Sequence, residues 1–251
     1  MLNNLREELF KFKYEKIPTY SIAALIIFMC YSLFQKTNLQ MITMGLGAIQ
    51  WIPIILVGVG SSFFAMEYDN NTMFMMIYKS NSKLSIYLSK FLIVCAFSIV
   101  LIFISTFFTI LSKEIFMRNQ YGWLTILNNQ HSLIENLLLN LFGTLIYCFF
   151  IIALSFMLIM LIRVNAAVIG VGLAVGFIGG SVSSALMEAF PNFIAITKWN
   201  PLNMIFVGQQ FTTDKFIRIS HLSNFQIAVA NCTYGILFLV IGYFLFKKRR
   251  V

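Results

Sequence analysis

Charge is what this chain has least of. Only 11% of its 251 residues are Asp, Glu, Lys or Arg, against about 25% in an ordinary soluble domain. Hydrophobic residues make up 59%, and the mean hydropathy is +0.84. A single water-surrounded globule is excluded, because too little polar surface exists to cover it. Catalytic clusters are missing too. His131 and His221 are the only histidines, and neither stands in an HExxH pattern. A Ser-His-Asp site would need Asp69 or Asp214 with a remote serine. No GxxxxGK[ST] phosphate loop occurs, so the chain is expected not to hydrolyse ATP and not to be an enzyme. Cys30, Cys95, Cys148 and Cys232 all fall in apolar sequence without metal-ligand spacing, which reads as small buried thiols and no metal site. No small-residue cleavage site follows the first apolar run, so no cleavable leader is expected.

What the chain has instead is six long apolar stretches, at about 19–34, 42–65, 91–111, 137–162, 166–186 and 227–246. Helices of that length satisfy their own backbone hydrogen bonds in hydrocarbon. The expected fold class is therefore an all-α integral membrane protein with six transmembrane helices. The centres of the stretches carry no charge, which argues against a proton relay or ion filter. Gln50, Trp51 and Pro53 predict a distortion in the second stretch. The net charge of +9 suits the inner face of a bilayer better than nucleic acid, because the bases are spread thinly between spans. With both termini inside, Arg6, Lys11, Lys13, Lys16, Lys79, Lys83, Lys90, Arg163 and Lys247 to Arg250 lie on the cytoplasmic side. Twelve of the 18 bases are then inside, so both termini are expected to be cytoplasmic.

Four segments stand out. Leu2, Leu5, Leu9 and Phe12 recur at helical spacing among Arg6, Glu7, Glu8, Lys11, Lys13 and Lys16. This predicts an interfacial amphipathic helix over 2–16, with basic residues towards headgroups and Pro18 turning the chain into the first span. Residues 66–90 read MEYDNNTMFMMIYKSNSKLSIYLSK, with Met73, Met76 and Ile77 on one helical side and Tyr78 and Lys79 beside it. Such an element either docks into a groove on a cytoplasmic partner or lies on the surface as a loop helix. Gly172, Gly176 and Gly180 give the fifth stretch a small-residue face, for packing within the subunit or for a moving interface. Arg163 marks the tight inner turn before it and is expected to snorkel to headgroups. Residues 188–225, with Pro191, Trp199 and Pro201, predict a broken or re-entrant outer hairpin before the last helix. Glu188 there is placed to face a polar cavity, pair with Lys198 or sit among headgroups.

The order of these elements resembles the permease subunits of ABC-2 type transporters. The likeness is to those of lantibiotic and bacitracin self-protection and of staphylococcal phenol-soluble modulin export. It covers nearly the whole chain as one transmembrane domain, 1–251. It rests on the basic helix before the first span and on Glu67, Asn71 and Thr72 followed by MFMMIYKSNSKLSIYLSKFL. Asn71 stands where the family often has Gly, and Ser80 and Asn81 replace a Pro-containing turn. The resemblance implies that Glu67 orients the cytoplasmic start, that residues 73–79 with Thr72, Met73, Met76, Ile77 and Lys79 form an ATPase-coupling helix, and that Lys90 marks the return to the membrane. It also implies cytoplasmic ATPase subunits carrying ATP and Mg2+, a second permease copy or related permease, and an amphipathic or antimicrobial peptide as cargo. No cofactor would be bound by this chain itself. Two other readings stand beside it: a non-transporting scaffold or sensor that binds peptides or lipids, and a lipid-modifying membrane enzyme.

Overall fold

Helix follows apolar sequence almost everywhere in the computed structural model, which describes residues 2–34, 38–69, 82–116, 122–127 and 131–248. Six helices are long and apolar enough to cross a membrane: α2 (Lys16–Phe34), α4 (Ala48–Asp69), α5 (Lys83–Phe116), α6 (Leu133–Ile162), α7 (Asn165–Ala189) and α11 (Asn224–Lys248). Before them lies α1 (Leu2–Tyr14), and α3 (Leu39–Thr43) precedes α4. Between α7 and α11 runs a strap of short turns: 3-10 turns at Pro191–Phe193 and Pro201–Phe206, with α8 (Ile194–Thr197), α9 (Val207–Gln210) and α10 (Asp214–Ser220). No strand occurs among the described residues; Ile126 and Ser132 form one isolated bridge. The protein is a helical, multi-pass membrane architecture.

α4 and α6 form the centre. More than half of the spanning part of each is buried, against about a quarter for α2, α7 and α11. Phe64, Tyr87, Phe156 and Phe246 bring α4, α5, α6 and α11 together through edge and stacked ring contacts. Lys83 Nζ donates to the Lys247 carbonyl (3.4 Å). The ends of α4 and α11 and the start of α5 therefore share one end of the bundle with α1, here termed the terminal end. The strap, α3 and the start of α6 occupy the opposite end.

Local sequence explains the breaks. Ser132 accepts from the Glu135 backbone N–H and Glu135 returns the bond to Ser132 N, so a capping box starts α6. Arg163 ends it in the left-handed region at φ 65°. The expected distortion of the second stretch does not fall at Pro53, which sits inside an unbroken α4. It falls earlier, at Met44–Gly47, where Gly45, Leu46 and Gly47 have φ of 59°, 51° and 83°. Two glycines make this turn accessible, and Leu46 tolerates the conformation while wholly packed in the core at 2% exposure. The spans also outrun the apolar stretches. α5 has 34 residues, where 91–111 was expected, because both of its flanking lysines are buried rather than left in water. Of residues 188–225, those between α7 and α11 form a strap of short helices and 3-10 turns.

Candidate functional site

Four charged side chains from three helices meet at the terminal end, among the described residues. Lys90, on α5, is completely buried. Its ammonium lies 2.7 Å from Glu8 Oε2 of α1 and 3.2 Å from Glu67 Oε1 of α4. It also donates to the Phe63 carbonyl (3.3 Å) and stands 3.9 Å from the centre of the Phe63 ring. Lys11, one turn beyond Glu8, reaches the same two carboxylates at 3.3 and 3.0 Å from the partly exposed rim. Burial opposes charge on Lys11, but Glu8 and Glu67 together outweigh it and hold its pKa above the usual lysine value. Among the described residues the cluster carries two negative and two positive charges. A neutral sum with every charge paired is the condition for keeping such groups out of water.

The same helices close around it with apolar contacts. Phe12 is buried and meets the Phe63 and Phe97 rings edge-on at 5.0 and 5.2 Å. Asn4 donates to Ser85 Oγ (3.0 Å). α1 is thereby docked on α4 and α5 through Glu8 and Phe12, residues one helical turn apart. Leu5 is half-buried, Leu9 is 49% exposed and Lys13 is exposed, so Leu9 and Phe12 stand in different surroundings. The side chain of Leu2 lies outside the described residues, as do Thr72, Met73, Met76, Ile77 and Lys79. Glu67 and Lys90 bracket that connection and meet across it.

Sequence reasoning named Glu67 and Lys90 separately and set Glu8 among the solvated charges of α1. A signal for Glu8 was present: it stands four residues before Phe12, so burying the ring also turns the carboxylate inward. The pairing itself is tertiary and joins positions 23 and 82 residues apart.

At the opposite end, the strap is held by neutral groups. Asn203 is fully buried; its amide donates to the carbonyls of Lys198 (2.6 Å) and Ser220 (2.9 Å), and it accepts from Ser183 of α7 (3.3 Å). Gln210 donates to the Leu222 carbonyl and accepts from Ser220. Thr212 donates to Asn140 of α6, which donates in turn to the Thr43 carbonyl. Beneath the strap, between α4, α6 and α7, lies a cavity of about 320 Å3. A second, of about 410 Å3, shares Ser184 and Ile219 with it and opens at Glu188, Arg218 and His221. Glu188 is exposed beside this second cavity and makes no ion pair with Lys198 or any other described residue.

The glycine face of α7 turns inward. A Cβ at Gly172 would collide with Val57 of α4, one at Gly176 would come within 2.9 Å of Ile54, and one at Gly180 within 3.3 Å of Phe206. Gly170 has nothing within 4 Å.

These features define a class: a six-span helical membrane protein whose N-terminal helix is ion-paired to the bundle at one end and whose last two spans are joined by a packed strap at the other. More particularly, the family described as "Protein of unknown function (DUF2705)" matches residues 9–251. The chain belongs to that family. No curated protein matches it.

Proposed function

We propose that this chain is the permease subunit of an ATP-driven exporter of amphipathic or antimicrobial peptides, resident in a bacterial cell membrane with both termini cytoplasmic. The observation that carries the reading is the buried Glu8–Lys90–Glu67 cluster. It ties α1 to both helices that flank residues 70–81, the segment that in this reading contacts the ATPase. A force on that segment moves the ends of α4 and α5, and through the ion pairs it moves α1 as well. ATP and Mg2+ would bind to separate cytoplasmic ATPase subunits, and a second permease copy or related permease would complete the pathway. Nucleotide state and permease conformation would then be reciprocally linked. α1, with Leu9 and Phe10 exposed and Lys13 beside them, fits the interface of the cytoplasmic leaflet.

The test is reconstitution with the candidate ATPase in vesicles, reading peptide uptake against ATP. The expected result is ATP-dependent transport, with Met76→Asp reducing ATPase copurification at unchanged membrane abundance, because a carboxylate is costly in an apolar contact. A stable complex that hydrolyses ATP without moving or responding to peptide would refute export. Absence of any ATPase complex after gentle extraction would point to a scaffold or sensor.

A further inference from the structure

One cavity at the strap end gathers hydrogen-bonding groups that the fold leaves unused. Gln50 of α4, Tyr147 of α6, Ser181 of α7 and Gln209 of α9 all line the space between α4, α6, α7 and the strap. None of these four side chains has a hydrogen-bond partner among the described residues. Ser184, also in the wall, differs, because its hydroxyl donates to the Gly180 carbonyl of its own helix (3.1 Å). Tyr147 is only 4% exposed, so its hydroxyl lies deep. Gln50 and Ser181 are exposed and Gln209 is half-buried, which sets them at the mouth. Phe177, Phe206 and Phe216 supply apolar walls, and no Asp, Glu, Lys, Arg or His among the described residues lines the cavity.

The chemistry of this lining selects its occupant. A charged group finds no counter-charge there and is disfavoured. A hydrocarbon tail would lie against the Tyr147 hydroxyl with nothing to donate or accept, and an unmade bond at a buried hydroxyl is costly. A lipid ester offers acceptors alone, while the two Gln carboxamides each present a donor and an acceptor. An extended peptide carries a carbonyl and an N–H at every residue, about 3.3–3.6 Å apart along the chain, and so meets polar groups at depth and mouth together. Its apolar side chains fall on the three rings. A helical peptide does not match, since its amides are already bonded to one another.

We propose that this cavity binds an uncharged, extended stretch of peptide, with apolar side chains against the rings and a backbone amide at Tyr147. The site is separate from the buried ion cluster. It gives the export reading a place of contact with cargo but does not rest on transport, since a peptide-binding sensor would use it equally.

Photo-crosslinking to the full-length protein in nanodiscs tests it, the probe being a capped tripeptide of leucine with a diazirine on its middle side chain. Labelling should saturate and fall on residues of the cavity. An analogue with its central amide replaced by an ester should bind about three- to tenfold more weakly. A probe with lysine in place of its last leucine should lose at least about tenfold. Tyr147→Phe removes the hydroxyl and keeps the ring, so it should leave the melting temperature unchanged while weakening the amide probe about three- to tenfold. Val171→Phe, on the exposed side of α7 and outside the cavity, should leave binding as it is. Equal binding of the amide and ester probes, unchanged affinity in Tyr147→Phe, or equal saturable labelling by a diazirine-bearing phosphatidylcholine would each overturn the proposal. Saturable labelling without ATP-coupled transport would keep the site and refute export. Transport with no labelling of the cavity would keep export and remove the site.

Discussion

The two ends of the bundle solve the same problem by different means. Each must fasten a segment outside the main helices, α1 at one end and the strap at the other. The terminal end uses charges, with Lys90 wholly buried between Glu8 and Glu67. The strap end uses neutral amides and hydroxyls, in which Asn203, Gln210 and Asn140 each serve backbone carbonyls. Buried charges are expensive to desolvate and poorly tolerant of a lost partner. Neutral hydrogen bonds give modest net stability but hold one geometry. The contrast leaves the fastening of the terminal end dependent on charge and that of the strap end independent of it.

The largest expected effect breaks the charged fastening. Lys90→Met leaves Glu8 and Glu67 buried without their main cation and should cost about 3–5 kcal/mol, seen as a fall in the melting temperature of the detergent-solubilised protein. Replacing Glu8 and Glu67 by Leu in the same variant should return most of that stability, since apolar groups of similar size often substitute for a buried ionic cluster. If stability returns while the proposed ATP-coupled transport is absent from this variant and present in wild type, the charges serve movement rather than folding. Full recovery of both would end the distinction between the two ends.

A smaller effect is expected from Asn203→Ala. It strands two carbonyls and takes away the acceptor of the Ser183 O–H, which keeps only its bond from Asn200, at about 1–3 kcal/mol. Because every group involved is neutral, the loss should be the same at low and high salt; a marked salt dependence would contradict the division drawn here. Between the ends, Gly172→Ala forces a methyl into Val57 and should destabilise by about 1–3 kcal/mol. Gly170→Ala, with open space around it, should instead stabilise α7 by about 0.5–1 kcal/mol. Equal melting temperatures for the two would remove the α4–α7 contact from the account. The smallest effect belongs to Lys11→Gln. Its side chain is 38% exposed, so screening by water limits the loss to about 0–1 kcal/mol. Since its pKa is raised on folding, that contribution is fully present at neutral pH and disappears only as pH rises through the elevated value. A difference in melting temperature between wild type and Lys11→Gln that already changed with pH near 7, rather than only above the ordinary lysine value, would place the titration elsewhere.

Six spans were legible because apolar runs of membrane length have few other uses. Their ends were less so, and Lys90 shows why. A lone lysine in sequence reads as the edge of the membrane, but this one is paired on two sides and the helix runs past it from Lys83. Lys113 repeats the lesson: it is buried, pairs with Glu114 at 3.0 Å and lies over the Trp123 ring at 4.7 Å, so α5 continues to Phe116. The turn at Met44–Gly47 was hidden for the opposite reason, since MGLGAIQ is apolar enough to read as uninterrupted span. The strap could be recognised as broken from Pro191 and Pro201, but not as a packed lid, because its closure depends on Gly143 admitting the Val207 carbonyl against α6.

The unequal lengths of the spans have a bearing on the bilayer itself. At 1.5 Å per residue, the 19 residues of α2 rise about 28 Å and the 34 of α5 about 51 Å. A hydrocarbon layer about 30 Å thick matches the first and leaves roughly 20 Å of the second in headgroups or water. Over its described residues, α2 is the span that matches that thickness most closely. In a thicker membrane its ends would be drawn inward while α5 still projected, and the strain would fall on Pro18 and on the short link between α1 and α2.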